Sequence, residues 1–183
     1  MNLRLSLARI YIPSWIHKKK LKQLFALTAQ AFQSKEPSLD GLSRKEMLKK
    51  YAYFTKENAE KLLASEKNIK IIQDLLFEKA FNMGCSIRKT LKISSHEEFM
   101  AAARLLYKLI GIDFQGENTG GITIQKCYFS RIYSDDICRI IASLDGGILA
   151  GLSGGRGKLD FSDRLTSGAE CCRAIFHFGD TTG

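Results

Sequence analysis

Two cysteines eleven positions apart, Cys127 and Cys138, are the residues of this chain whose type and spacing first suggest chemistry. A thiol can bind a metal, act as a nucleophile once it is a thiolate, or pack as a small hydrophobic side chain. Zinc sites usually place two cysteines about two to four residues apart, and this sequence contains no such pair. The spacing disfavours a structural zinc pair. It leaves open a pocket thiol, a packed residue, or a site that Cys172 completes from a distant strand.

The last predicted strand, ECCRAIFHF, carries two of the five cysteines. Because side chains alternate along a strand, Cys172 shares an apolar face with Phe176, whereas Arg173 and His177 share the opposite face. The pattern predicts that Cys172 packs in the core. Cys127 lies on a mixed face of its own strand, so it is the better candidate for a pocket thiol.

A thiol nucleophile or an attacking water needs a neighbouring base. His177 is the one histidine after residue 111, in the half of the chain that carries four of the five cysteines. Asp135 and Asp136 favour a helix N-terminus through the helix dipole. Asp145 follows that short predicted helix, where the dipole gives a carboxylate no advantage. It is therefore the more informative acid.

Two further features resemble binding motifs without matching them. The passage GLSGGRGK lacks the glycine spacing and the Ser or Thr after its lysine that a phosphate-binding loop needs, so we interpret it as a flexible or tightly turned connection. The basic run at 18–20 has no interleaved aromatic residues of the kind that stack on single-stranded nucleic acid. We interpret it as a solvent-exposed helix face and expect no nucleic-acid partner.

The elements that must position these residues change character near Gly111. Residues 1–110 carry 21 Lys and Arg, 10 Asp and Glu and 2 glycines, whereas residues 111–183 carry 7, 9 and 13. Apolar residues recur at helical spacing before this point, and capping boxes begin at Ser43 and Ser95. After it, they alternate as in strands. We predict one α+β domain over residues 1–183, with about four helices on a small antiparallel sheet.

The bounds of these elements follow from breakers and caps. The pattern predicts a mainly helical part at 1–110, with helices over about residues 14–33, 43–64, 66–91 and 95–110. It then predicts a strand-rich part at 111–183, with strands before and after a turn at 117–121, a short helix at 135–143, a glycine-rich connection at 145–157, and a hairpin at about 158–178.

Composition limits the classes of protein that fit. The chain has 183 residues, is 45% hydrophobic and carries a formal net charge of +9. Its apolar stretches fall short of the roughly 18 residues that a membrane helix needs, so we expect no membrane span. The amino-terminal residues lack the order of segments of a signal peptide, and an odd number of cysteines argues against a disulfide framework. We therefore expect a soluble, cytoplasmic protein with reduced thiols.

The carboxyl-terminal third joins a strand cysteine, a second cysteine in the next helix, an aspartate followed by glycines, and a strand–turn–strand with a late cysteine before aromatics. In order these residues are Cys127, Cys138, Asp145, Gly168 and Cys172, within CYFSRIYSDDICRIIASLDGG and LTSGAECCRAIFHF. The arrangement covers about residues 75–180 and is clearest after residue 120. It resembles the L-2-amino-thiazoline-4-carboxylic acid hydrolase family, and it is similar to the 4-vinyl reductase-like small-ligand domains.

The resemblance to the hydrolase family implies hydrolytic opening of a small cyclic amidine-like carboxylate by a thiol or an activated water. The implied catalytic residues are Cys127, Cys138, Asp145 and His177. The implied substrate-binding residues are Arg156, Arg173 and Cys172, and either arginine would hold the substrate carboxylate through paired hydrogen bonds. The sequence specifies no cofactor or metal, and it leaves open a homo-oligomer.

Two other classes of protein stay open. A small-ligand or metal-binding regulatory module would enclose an apolar pocket lined by aromatic and methionine side chains without catalysing a reaction. A protein-interaction domain would instead use the basic helical half and present an exposed apolar patch.

Overall fold

The computed structural model describes residues 5–6, 13–65, 68–155 and 157–179. Its elements are α1 (Ser14–Phe32), α2 (Arg44–Leu63), α3 (Ile69–Leu91), α4 (His96–Leu109), β1 (Ile112–Gly116), β2 (Gly121–Cys127), α5 (Asp135–Ser153), β3 (Gly157–Asp163) and β4 (Cys172–Phe178). The predicted α+β class, with helices before residue 111 and strands after it, is confirmed, but the helices with defined bounds number five instead of about four. In the described ranges no helix is long and apolar enough to cross a membrane.

Side-chain caps set where the helices before the sheet begin. Ser43 accepts a hydrogen bond from the Glu46 amide, and the Glu46 carboxylate accepts one from the Ser43 amide, which forms the predicted capping box of α2. Ser95 accepts from the Glu98 amide at the start of α4. Asn68 caps α3 through the Lys70 amide, so this helix begins at Ile69, and residues 66–67 lie outside the described part of the chain.

The four strands form one antiparallel sheet in the order β1-β2-β4-β3. Alternation along β4 buries Cys172, Ala174 and Phe176 against the helices and exposes Arg173 and His177 on the other face. The predicted packing of Cys172 on the buried face of its strand is confirmed.

A β-bulge near the end of β2 changes the side to which Cys127 points. Phe114 pairs with Ile124 and Ile112 pairs with Cys127, so β2 holds one residue more than β1 between these two pairs. An extra residue reverses the alternation of side chains. Cys127 therefore lies on the side of buried Ile112, facing the helices.

Helix α5 departs most from the sequence prediction. A short helix to about residue 143 and a glycine-rich connection were expected, but α5 continues without interruption to Ser153. Gly154 and Gly155 end it with φ of +98° and +97°, a conformation that favours glycine. The glycines before them are helical, so the predicted connection is wrong.

The glycines of α5 allow this helix to lie directly against α3. A methyl group on Gly147 would collide with the main-chain carbonyl oxygen of Phe77, and one on Gly151 would collide with that of Phe81. On α3, a methyl group on Gly84 would collide with the carbonyl oxygen of a residue in α5. Close packing of two backbones thus outweighs the low helix propensity of glycine, about 1 kcal/mol per residue.

Helix α5 is also the element that joins the two parts of the chain. It contacts α2, α3 and α4 from the helical part and β3 from the sheet. One cluster of buried hydrophobic side chains includes residues from both sides of Gly111. Any residue on α5 that faces the sheet is therefore held by packing on several sides.

Adjacent glycines of α5 provide a matched test of this packing. We expect Gly147→Ala to lower the free energy of unfolding by about 2 kcal/mol, because the added methyl displaces the α3 backbone. The control is Gly146→Ala, whose methyl would meet the Phe77 ring at an ordinary 3.6 Å. It should raise the free energy of unfolding by about 0.5–1 kcal/mol through helix propensity. Urea unfolding followed by circular dichroism measures both, and equal effects would contradict the close packing of α3 and α5.

Candidate functional site

A mainly apolar cavity of about 80 Å³ lies between α5 and the ends of β1, β2 and β4. Six residues of α5 line it: Leu144 and, at helical spacing, Cys138, Ile141, Ala142, Asp145 and Ile148. This spacing places them on one face of the helix. The cavity therefore depends on the full length of α5.

Four of the seven site residues chosen from the sequence line this cavity. They are Cys127 at the end of β2, Cys138 and Asp145 on α5, and Cys172 at the start of β4. The bulge in β2 is what directs Cys127 inwards, and the alternation along β4 does the same for Cys172. Three elements that are distant in sequence thus contribute to one cavity.

Two of the other three residues, His177 and Arg173, lie outside the cavity. His177 lies on the exposed face of β4, where its Nε2 is 3.4 Å from Oδ2 of Asp160. Arg173 lies on the same face, with Nη1 3.4 Å from Oδ2 of Asp163. Because strand alternation directs both away from the helices, we correct their assignment: neither is placed to act on a ligand in the cavity. Arg156 lies outside the described residues.

Asp145 is the carboxylic acid of the cavity. Its Oδ1 accepts a hydrogen bond of 2.8 Å from the hydroxyl of buried Tyr107. Burial raises the pKa of Asp145 from 3.8 to about 6, although the Tyr107 hydrogen bond and the charge of Arg164 act in the opposite direction. A carboxyl group that titrates near neutrality can both accept and release a proton, as acid–base chemistry requires.

A second, smaller cavity of about 40 Å³ lies next to Asp145 on the side of α1. Asp145, Ile148 and Ile110 line both cavities, and Lys20 lines the smaller one. Burial and then the charge of Lys19 lower the pKa of Lys20. Most of the lining on this side is apolar, and Lys20 and Tyr107 are the polar side chains that line this smaller cavity together with Asp145.

Cys127 is a protonated thiol at neutral pH. Burial raises its pKa to about 12, even though the main-chain amides of Phe129 and Ser130 are directed at its sulfur. The nearby charge of Asp145 adds to this rise. A thiol that stays protonated is a weak nucleophile, so this environment does not activate Cys127.

Cys138 and Cys172 are similar. Burial is the main cause that raises the pKa of each thiol. The Thr166 side chain lies within hydrogen-bond range of Cys138, and the sulfur of Cys172 accepts a hydrogen bond of 3.4 Å from the Leu165 amide. Water activated by Asp145 fits this cavity better than a thiolate as the attacking group.

Arg164 is a charged residue that sequence reasoning missed. Its guanidinium carbon lies 4.7 Å from the centre of the Phe161 ring, and within the described chain its Nε is buried without a hydrogen-bond partner. Its positive charge lowers the pKa of Asp145, Cys138 and Cys172 against the effect of burial. It precedes the turn between β3 and β4, and no motif in the sequence marks that position.

Aromatic side chains line the cavity opposite α5. The hydroxyl of Tyr51 is 3.1 Å from Oγ1 of Thr28, and the hydroxyl of Tyr133 forms a hydrogen bond with Thr55. Burial raises the pKa of both tyrosines, so neither releases a proton near neutral pH. The hydrogen bond of each tyrosine to its threonine holds the ring in place. Asp145 is then the acid–base group of the cavity.

A wider cleft of about 580 Å³ adjoins the cavity. Cys127, Ser130 and Leu165 line both spaces, so the cleft and the cavity meet at these residues. The charged residues of the cleft lining are Lys126 and Arg131, both exposed. A positive outer cleft therefore leads to an inner cavity that contains a carboxyl group.

The arrangement does not form a metal centre among the described residues. No group of three or more His, Cys, Asp and Glu side chains there is placed to hold one ion. Cys138 and Asp145 are seven residues apart on α5, which separates them by about 10 Å along the helix axis. The cavity thus spreads its polar groups along its length.

Comparison with protein-family models matched none of them, and comparison with curated proteins found no match. The features that bear on function are therefore the geometry of the cavity and the residues of the family resemblance that line it, Cys127, Cys138, Asp145 and Cys172.

The raised pKa of Asp145 links folding stability to pH. The folded protein keeps this proton up to about pH 6, whereas a carboxyl in the unfolded chain releases it near pH 4. The contribution of Asp145 to the free energy of unfolding is therefore largest below about pH 4, and it falls by roughly 3 kcal/mol as pH rises through 6.

We expect Asp145→Asn to remove this decline. The amide oxygen can still accept from Tyr107, so the variant should match the wild type near pH 4 and exceed its free energy of unfolding by roughly 3 kcal/mol near pH 8. The control is Asp113→Asn, which removes an exposed carboxyl of β1 outside the cavity, and the decline caused by Asp145 should persist in this variant. Urea unfolding across this range tests the prediction. A pH profile like that of the wild type in Asp145→Asn would contradict the burial of a titrating carboxyl.

Proposed function

We propose that the protein is a small-molecule hydrolase that opens a cyclic amidine-like carboxylate by means of a water molecule activated by Asp145. The observation that carries the proposal is the environment of Asp145: a carboxyl with a pKa of about 6, bonded to Tyr107, in a mainly apolar cavity. The same cavity contains Cys127, Cys138 and Cys172, the cysteines of the family resemblance.

The chemistry needs one base that later serves as an acid. The Asp145 carboxylate takes a proton from water while the water oxygen bonds to the ring carbon between the heteroatoms. The attack converts the carbon–nitrogen double bond into a single bond, and its nitrogen takes the second water proton as the carbon–oxygen double bond forms; if that nitrogen is already protonated, this proton goes to solvent. The bond from the carbon to the ring sulfur or nitrogen then breaks, and the departing atom takes the proton from the Asp145 carboxyl. One water is consumed, and the reaction needs no oxidant or reductant.

The ionised form of Asp145 also suits such a substrate. A protonated amidine offers two N–H donors in a plane; one oxygen of the Asp145 carboxylate accepts from one of them, and the other oxygen takes the water proton. This pairing stabilises the charge that burial otherwise disfavours on Asp145. In this mechanism the neutral thiols shape the cavity around the ring. In the alternative mechanism Cys127 is the nucleophile, and an experiment must distinguish the two.

The first test is the ring opening of 2-amino-thiazoline-4-carboxylate, followed through the thiol that appears when the carbon–sulfur bond breaks. We expect Asp145→Asn to lower kcat by at least about 100-fold, because it removes the acid–base group. His177→Ala is the matched control, since this exposed side chain lies outside the cavity. An active Asp145→Asn enzyme would refute the proposed role.

A second test separates water from a thiol as the attacking group. If water attacks, Cys127→Ser and Cys138→Ser retain turnover, with changes mainly in KM because the shape of the cavity changes. Complete loss in Cys127→Ser with normal binding would instead assign the nucleophile to Cys127. Unchanged turnover and KM in both variants would remove the cysteines from the site.

Tyr107→Phe provides an independent readout of the same carboxyl. The tyrosine hydrogen bond lowers the pKa of Asp145, so its loss should raise that pKa and shift the acidic limb of the kcat profile to higher pH. A pH profile that does not move would show that Asp145 is not the titrating base.

The alternative function is a small-ligand binding module without catalysis. The observation that favours it is the small, largely apolar cavity with three protonated thiols and paired tyrosine hydroxyls. Saturable ligand binding with no product, under conditions that ionise Asp145, would support this alternative over the hydrolase.

For either function we propose a cytoplasmic location, because all five cysteines are free, as in a reducing compartment.

A further inference from the structure

We propose that Lys126 and Arg131 form an anion-binding half of the site, so that its ligand is a short molecule with a carboxylate at one end and an amidine- or guanidine-like group at the other. The inference rests on the proposed function, because it uses the same cavity. It concerns recognition of the ligand and not turnover. It assigns to Lys126 and Arg131 the binding of the ligand carboxylate, which the sequence analysis expected of Arg156 or Arg173.

The first step is the continuity of the two spaces. The cavity of about 80 Å³ holds only a few atoms, far less than the roughly 300–1,000 Å³ of typical small-molecule sites. The adjoining cleft of about 580 Å³ shares Cys127, Ser130 and Leu165 with it. The two spaces are therefore neighbours at these residues, and a ligand too large for the cavity with its reactive group against Asp145 would reach the cleft here.

The second step is the local backbone that builds this junction. The bulge of β2 directs Cys127 inwards while Lys126 remains exposed, and the short turn Tyr128–Arg131 brings Arg131 to the same cleft. The Ser130 hydroxyl donates a hydrogen bond of 2.8 Å to the carbonyl oxygen of Cys127. This bond holds the backbone of the turn against the end of the strand, which keeps the two positions that carry the cations on the same cleft.

The third step is the state of the charges. In the strand-rich part, Arg139, Lys158 and Arg173 have carboxylate partners within 4 Å. Arg164 lies over the Phe161 ring. Lys126 and Arg131 form no ion pair with any described residue. Among the described residues of this part, Lys126, Arg131 and Arg164 have no carboxylate partner within 4 Å, and the first two of them line the cleft.

The fourth step is the charge at the inner end of the site, which is opposite in sign to the charge of the cleft. Asp145 is the carboxylic acid of the cavity lining, and above about pH 6 it is negative. A ligand with a cation at one end and an anion at the other matches both halves of the site. A simple cation would leave the cleft without a partner, and a simple anion would meet the charge of Asp145 if it entered the cavity.

Guanidinoacetate is a probe of this polarity, because it carries both groups and has no ring to hydrolyse. Methylguanidine carries only the cation and acetate only the anion. We expect calorimetric titration near pH 8 to give an affinity for guanidinoacetate about tenfold above that for methylguanidine, with acetate weaker still. The longer 3-guanidinopropionate extends the test to a greater distance between the two charges.

The decisive variant is Lys126→Ala combined with Arg131→Ala. It should weaken guanidinoacetate about tenfold and leave the affinity for methylguanidine unchanged. The control is Lys158→Ala combined with Arg173→Ala, which removes the same net charge from the exposed face of the sheet. It should retain the wild-type affinity for guanidinoacetate. Equal losses in the two double variants, or no binding of any probe, would overturn the proposal.

The outcomes also separate this inference from the proposed hydrolase. If guanidinoacetate binds with the expected dependence on Lys126 and Arg131 but the ring is not opened, the anion-binding half stands and the hydrolase fails. If the ring is opened with a KM that does not change in Lys126→Ala with Arg131→Ala, the hydrolase stands and the anion-binding half fails.

Discussion

The contact between the backbones of α3 and α5 is the constraint on which the site depends. Three glycines, Gly84, Gly147 and Gly151, allow the two helices to approach until main-chain atoms touch. This contact keeps α5 helical over all of its 19 residues and fixes its rotation. The face that carries Cys138 and Asp145 must then point to the cavity, because the opposite face is occupied by α3. Without the contact, the same residues would follow a shorter helix and share no cavity.

The electrostatics of the site come from one carboxyl group placed where burial disfavours its charge. Tyr107 donates a hydrogen bond to it, and Arg164 adds a positive charge from the turn before β4. These two effects limit the rise in the pKa of Asp145 to about 6 and do not cancel it. Burial also raises the pKa of the three thiols, so they remain protonated at neutral pH. The same apolar surroundings thus prepare the carboxyl for proton transfer and keep the cysteines unreactive.

Local patterns in the sequence predict most of the fold, because caps and alternation depend on neighbouring residues. Ser43 with Glu46 and the strand face of Cys172 are examples. The extent of α5 was not predictable in this way, since the glycines that lower helix propensity are the residues that the tertiary contact requires. The inward direction of Cys127 depends on a bulge, which is a property of strand pairing. Arg164 and the pair Lys126 and Arg131 carry no motif, and only their position in the fold distinguishes them.

A site that disfavours its own charge is informative about the ligand. Above about pH 6 the ionised Asp145 costs the folded protein roughly 3 kcal/mol relative to a solvated carboxylate, and nothing in the fold near it removes that cost. Strain of this kind persists in proteins mainly where function requires it. A bound cation would stabilise the ionised carboxyl, so part of its binding energy would come from relief of this strain. If Lys126 and Arg131 bind an anion as proposed, a molecule that satisfies both ends at once would bind better than one that satisfies either end alone.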